Sequence, residues 1–181
     1  MIKNKKKNTV YNVGLIGCGK IGYSRNLNNP NLTETHFSVV QKIKRLKLTA
    51  ISDTNKTVLN KFSKRNKNIK IYTSYKTMIK ENVFDIIIVA SPTKTHYKIL
   101  KFLLNYKPRI VFCEKPVSEN LDLSLDIINL YKKESIPLQI NFTRRFIKEY
   151  QELYKQIIKR KKIGKIKYVN INYNRGFYNN G

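Results

Sequence analysis

The apolar positions of this chain fall in short runs, and the runs alternate with stretches of helical spacing. Runs rich in Ile and Val occur at 10–16, 46–51, 69–72, 84–90, 109–113 and 137–140. They are short and continuously apolar, as strands buried on both faces are. Between them, apolar residues recur every three or four positions. Phe37, Val40 and Ile43 share a face with Lys44, Ile99 joins Phe102 and Leu103, and Leu121, Leu125, Ile128 and Tyr131 form a third stripe. Strand and helix signals in alternation predict an α/β fold on a doubly wound parallel sheet. Past residue 141 the pattern changes. Phe146, Tyr150, Leu153 and Ile157 keep helical spacing. Residues 165–173 then alternate, with Val169, Ile171 and Tyr173 opposite Asn170, Asn172 and Asn174, which predicts a strand with one wet face.

The first predicted strand runs into Gly17-Cys18-Gly19-Lys20-Ile21-Gly22. A G-x-G-x-x-G directly after a strand is the turn of a dinucleotide-binding βαβ unit. The first glycine permits the tight turn, the second lets backbone approach a pyrophosphate, and the third lets the next helix pack closely. The helix N-terminus then faces the phosphates. Residues 23–34 are polar and turn-rich, and they predict an inserted loop with the helix restarting near Thr33 or Thr35. The expected organisation is a basic tail over 1–9, a dinucleotide-binding domain over 10–141 and the start of a second α/β domain over 142–181. One strand cannot complete a second sheet, so the chain reads as a fragment or truncated product.

Composition changes this picture little. The 181 residues carry a formal net charge of +26, which raises nucleic acid as a partner. The excess is Lys, accompanied by much Asn, Ile and Tyr, residues that share AT-rich codons, and the lysines are scattered over every segment. A nucleic-acid partner is therefore set aside as a third reading. Two cysteines, Cys18 and Cys113, make no disulfide framework and fit a reduced, cytoplasmic protein. No apolar stretch approaches the ~20 residues of a membrane helix.

The remaining chemistry sits at strand ends. Asp53 ends the second strand, where a carboxylate accepts hydrogen bonds from the adenosine ribose and disfavours a 2′-phosphate. That predicts NAD, with NADP left possible by nearby Lys56. The fourth strand ends in Ser91-Pro92-Thr93-Lys94-Thr95-His96, where Pro92 stiffens the turn and Thr93 can cap the next helix. His96 is either a cofactor contact or an exposed residue of a capped first turn. The fifth ends in Glu114-Lys115-Pro116. A desolvated lysine there can take a hydroxyl proton as hydride leaves carbon, or orient a base.

These motifs, with Asn141-Phe142-Thr143-Arg144-Arg145-Phe146 and Ile163-Gly164-Lys165-Ile166, occur in the order of a known family. The chain resembles the Gfo/Idh/MocA oxidoreductases (glucose–fructose oxidoreductase, inositol dehydrogenase, rhizopine catabolism). The resemblance implies a Rossmann domain and an open-sheet substrate domain. It also implies nicotinamide-dependent hydride transfer with a sugar, cyclitol or nucleotide sugar. Lys115 matches the catalytic lysine. Gly17, Gly19, Lys20, Ile21, Gly22, Asp53, Ser91, Pro92, Thr93, His96 and Glu114 match positions that contact or frame the cofactor, and Arg145 a position near cofactor and substrate. The loop at 23–34 resembles a subgroup of surface-polysaccharide biosynthesis, which tilts the substrate toward nucleotide sugars. Family members are longer and add an Asp and a His from the second domain, so this chain is expected to bind cofactor with little turnover. Full-length members are often homo-oligomers through that domain's sheet, which is not expected here. The alternatives are an inactive dinucleotide-binding remnant, a methyltransferase and a short-chain dehydrogenase. A methyltransferase does not predict Glu114-Lys115-Pro116. The Tyr-x-x-x-Lys pairs Tyr72/Lys76 and Tyr97/Lys101 fit the dehydrogenase only by abundance.

Overall fold

A computed structural model of the chain describes residues 9–25, 35–160, 162 and 164–172. The predicted tail over 1–8 and most of the predicted loop, 26–34, lie outside the described residues. The chain divides into two compact units, Met1–Asn141 and Phe142–Gly181.

In the first unit, six apolar runs become six parallel strands: β1 (Tyr11–Ile16), β2 (Leu46–Ser52), β3 (Lys70–Tyr72), β4 (Ile86–Val89), β5 (Ile110–Cys113) and β6 (Leu138–Ile140). Their order is β3-β2-β1-β4-β5-β6. Among the described residues five α-helices connect them: α1 (His36–Lys42), α2 (Lys56–Arg65), α3 (Tyr75–Glu81), α4 (Thr93–Leu103) and α5 (Leu121–Lys133). The restart of the first crossover is fixed by Thr35. Its hydroxyl accepts from the Ser38 N–H while the Ser38 hydroxyl accepts from the Thr35 N–H, a reciprocal cap.

Side chains alternate across the sheet, so each face has its own core. One packs Val13, Leu15, Leu48, Ile51 and Ile88 against Val40, Leu59, Phe62 and Tyr23. The other packs Ile16, Ile87, Val89 and Val111 against Met78, Ile99, Leu100, Leu103, Ile127 and Tyr131. Two predicted helical stripes shift. α1 ends at Lys42, leaving Ile43 exposed. In α5, Ile127 and Tyr131 meet the sheet, whereas Leu121 and Leu125 lie in solvent, 72% and 51% exposed.

The register of the ladder lines up the strand ends. Tyr72 pairs with Ser52, Ser52 with Ile16, Ile16 with Val89, Val89 with Cys113 and Cys113 with Ile140. Five strands thus end level with β1, and the next residue of each stands in one row.

The second unit contains a 3₁₀ turn (Thr143–Phe146), a helix α6 (Lys148–Tyr154) and a π turn (Lys155–Lys159). Its apolar side chains are open, with Phe146, Tyr150, Leu153 and Tyr154 all more than half exposed. The strand predicted over 165–173 is not formed: residues 164–172 are irregular and exposed, and Tyr173 lies outside the described residues. Alternation alone does not make a strand, because the backbone groups need a partner ladder. Among the described residues no helix is long and apolar enough to cross a membrane.

Candidate functional site

The row of residues beyond the strand ends is knit by backbone hydrogen bonds. The N–H of Asp53 donates to the Tyr72 carbonyl, Gly17 to Ser52, Ala90 to Ile16, Glu114 to Val89 and Asn141 to Cys113, at 2.7–3.1 Å. Strand order reverses between β1 and β4, so Gly17 and Ala90 flank the crevice where doubly wound sheets bind ligands.

The three glycines have three different surroundings. Gly17 has φ +94°, and a Cβ there would lie 2.5 Å from the Ser91 nitrogen. A Cβ on Gly22 would lie 2.1 Å from the Gly17 carbonyl oxygen. Among the described residues nothing lies within 4 Å of the Gly19 Cβ position, so its space there is open. Directly after the glycines the chain makes a single π turn, Lys20–Ser24, in which the Tyr23 and Ser24 N–H groups both donate to the Gly19 carbonyl. Lys20 is exposed and Ile21 half-buried. Tyr23 pins the turn, its ring edge-on to Phe37 and Phe62 at 5.0 and 4.7 Å.

Asp53 holds this turn from the side. Its Oδ2 accepts from the Cys18 N–H at 2.6 Å and its Oδ1 from the Asn55 N–H at 2.8 Å. Asp53 is not the helix cap; Asn55 is, accepting from Thr57 and Val58. Burial, with the Asp53 charge, pushes the Cys18 thiol far above its usual range, and burial with Glu114 pushes Cys113 up to about 12. Both are free, buried and protonated, and neither is a nucleophile. A cavity of about 430 Å³ opens beside Asp53, lined also by Gly17, Ser52, Ser74, Ser91 and Lys94. Among the described residues the buried Ser52 hydroxyl has no hydrogen-bond partner. An open glycine, a carboxylate at the strand end and an orphaned hydroxyl on a cavity fit the adenosine and pyrophosphate of a dinucleotide.

At the β4 turn, Pro92 rather than Thr93 occupies the helix cap, and Thr93 is the first helical residue. The Ser91 and Thr95 hydroxyls lie 2.7 Å apart, and Thr95 also donates to the Pro92 carbonyl. His96 answers to neither expectation. It is 1% exposed, with Nδ1 2.8 Å from the Pro116 carbonyl and Nε2 2.8 Å from the Ser91 carbonyl. With its two nitrogens each facing a backbone carbonyl, the buried ring ties the β4 turn to the β5 turn.

Glu114 is the best-held side chain of the β5 turn. Its Oε1 accepts from His36 Nε2 at 2.8 Å and from Asn141 Nδ2 at 2.6 Å. Burial pushes its carboxyl up, but the hydrogen bonds from His36 and Asn141, the His36 charge and the Lys115 N–H outweigh burial and hold it below the usual range. Lys115 comes next on the rim and is exposed, so the dry setting expected for it is not supplied by the first unit. Arg145 belongs to the second unit, where its carbonyl accepts from Gln151 and its guanidinium lies 5.7 Å from the Phe142 ring centre.

His36 was not legible as a site residue. It is one of two histidines, 78 positions from Glu114, and only its place directly after the Thr35 cap, on the helix that closes the first crossover, offers a signal.

The profile of the oxidoreductase family with an NAD-binding Rossmann fold, Gfo/Idh/MocA, matches residues 11–142. The chain belongs to that family. It is 29% identical over 151 residues to the uncharacterized oxidoreductase YrbE of Bacillus subtilis, covering 83% of this chain and 40% of that protein. It is 30% identical over 153 residues to the myo-inositol 2-dehydrogenase of Thermotoga maritima, covering 84% and 42%. The crystal structure of myo-inositol 2-dehydrogenase from Lactobacillus plantarum superposes with a TM-score of 0.72 at 26% identity, covering 87% of this chain and 43% of that one. The chain therefore spans about two fifths of the length of the relatives it matches. All the Gfo/Idh/MocA motifs from the glycine turn to Asn141 fall within the matched residues.

Proposed function

We propose that the first unit binds NAD along the row of strand ends. The protein it belongs to then transfers hydride between NAD and a hydroxyl-bearing carbon of a sugar, cyclitol or nucleotide sugar. The observation that carries this is the row itself, with Asp53 on one side of the Gly17 turn and Glu114-Lys115 on the other. Membership of Gfo/Idh/MocA supports the reaction class, and the inositol dehydrogenases among its relatives support a cyclitol. The unit over 10–141 is the cofactor domain and the chain after it begins the substrate domain.

Asp53 accepts the adenosine ribose hydroxyls, and its charge selects NAD over NADP. Gly17, Gly19, Lys20, Ile21 and Gly22 shape the pyrophosphate turn, while Ser91, Pro92 and Thr93 border the crevice. When bound, the nicotinamide supplies the hydride acceptor. Lys115 Nζ takes the substrate hydroxyl proton or orients the group that does, and Glu114 stands beside it as an anion. The exposure of Lys115 favours one alternative, a unit that binds dinucleotide without turnover.

Calorimetric titration with NAD and NADP, then an assay of NADH formation with inositols and nucleotide sugars, tests both. Saturable binding of NAD with low turnover that Lys115→Met abolishes is the expected result. Binding without turnover on any of these substrates selects the alternative, and a folded chain that binds neither dinucleotide overturns both.

A further inference from the structure

Glu114 does not keep its orientation by itself. Two donors from distant elements, His36 at the start of α1 and Asn141 at the end of β6, converge on one oxygen, Oε1. His36 and Glu114 side chains are each 12% exposed, so the pair is largely withdrawn from water. His36 is itself fixed. The reciprocal Thr35–Ser38 cap sets its backbone, and its ring lies edge-on to Phe112 with centres 5.5 Å apart and planes at 71°.

We propose that His36 is a positioning residue for the nicotinamide half of the site. With Asn141 it locks the Glu114 carboxylate, in its charged form, at the end of β5 beside Lys115. The inference rests on the reading of this edge as an NAD site.

A purely structural strut between α1 and β5 has no need of this pair. The ring already packs on Phe112, and apolar groups of the same shape are often as stabilising as a sheltered hydrogen-bonded pair with a carboxylate, because the buried charge loses its hydration. The pair instead fixes where a carboxylate points. A carboxylate has about four acceptor sites. His36 and Asn141 both take sites on Oε1, which leaves acceptor sites on Oε2 for a ligand hydroxyl or amide. The place is also specific. Glu114 lies on the β4–β5 side of the switch point and Asp53 on the β2 side, so a dinucleotide lying across the crevice puts its two ends at different carboxylates.

The test uses the 181-residue chain and two probes, NADH and ADP, since ADP has the adenosine half but no nicotinamide riboside. His36→Ala is expected to weaken NADH about 5- to 10-fold while changing ADP by less than about twofold, somewhat less than one lost hydrogen bond to a charged group because His36 acts on the cofactor through Glu114. His36→Gln, which keeps a donor, is expected to recover most of the loss. Asn141→Ala removes the other donor and is expected to show the same NADH-selective loss, including where His36→Ala fails to fold. In the protein without cofactor, Glu114→Gln is expected to move the imidazole ¹⁵N shifts of His36. Equal losses for NADH and ADP, no rescue by Gln, or unchanged NADH affinity overturn the proposal. A wild-type chain that binds neither probe overturns the NAD reading, and this inference with it; ADP binding that survives every His36 variant while NADH affinity is unmoved overturns this inference alone.

Discussion

Two carboxylates stand one residue beyond a strand end, in the same row, on opposite sides of the glycine turn, and they are held in opposite ways. Asp53 is held by backbone. Its two oxygens take the N–H groups of Cys18 and Asn55, one in the glycine turn and one two residues on. Glu114 is held by side chains, which reach it from 78 and 27 positions away. The Asp53 half is fixed by main-chain donors alone, one in the glycine turn 35 positions earlier and one at the cap of the next helix. The Glu114 half becomes rigid only when α1 and β6 have docked. One half is thus held by backbone groups and the other by side chains, and each can be broken alone.

The largest effects come from breaking what both halves share. Gly22→Ala drives a Cβ to 2.1 Å from the Gly17 carbonyl oxygen, and Gly17→Ala adds a left-handed φ to a 2.5 Å clash with the Ser91 nitrogen. Each is expected to destabilise the fold by about 3 kcal/mol or more. Thermal unfolding monitored by circular dichroism checks this, with an expected fall in Tm of about 6–12 °C. Gly19→Ala is the counterpart. Its Cβ enters open space, so Tm is expected to stay within about 1 °C while NADH binding weakens about 10-fold or more.

Asp53→Ala sharpens the comparison. It is expected to weaken ADP and NADH alike, by about 10- to 100-fold, because it removes the ribose acceptor and releases the Cys18 N–H that shapes the turn. His36→Ala affects NADH alone. Calorimetry of both ligands on both variants separates the halves, and an Asp53→Ala loss confined to NADH contradicts the division.

The smallest effect is on pH dependence. The Glu114 carboxyl lies below its ordinary value of 4.5 in the folded chain. Its anion therefore adds stability that is full above that value and is lost as pH falls through the lower folded one. The stability gap between wild type and Glu114→Gln is expected to shrink on acidification below about pH 4.5. Tm measured against pH in both proteins checks this, and a gap that widens on acidification contradicts it.

The same division explains what was legible in the sequence. Six strands, the glycine turn and Asp53 come from local spacing, since apolar runs and G-x-G-x-x-G depend on neighbours in the chain. His96 was readable as a motif position but not in its role, because its two carbonyl partners lie on separate turns. His36 carried almost no signal, since its partner is a tertiary event. The stripe on α5 misled because helical spacing marks several possible faces, and docking against the sheet chose Ile127 and Tyr131. Residues 165–173 misled for a related reason: period-two alternation describes a strand that has neighbours, and the described residues there have none.

The most direct test is to track backbone amide shifts of the ¹⁵N-labelled chain by NMR while adding NADH. The account predicts saturating changes confined to the row at the strand ends, with Gly17, Gly19, Asp53, Ser91 and Glu114 moving together. It also predicts no change at the opposite edge, near Phe84 and Arg109. Shifts centred on that opposite edge, or no shifts in a folded chain at millimolar NADH, would contradict it.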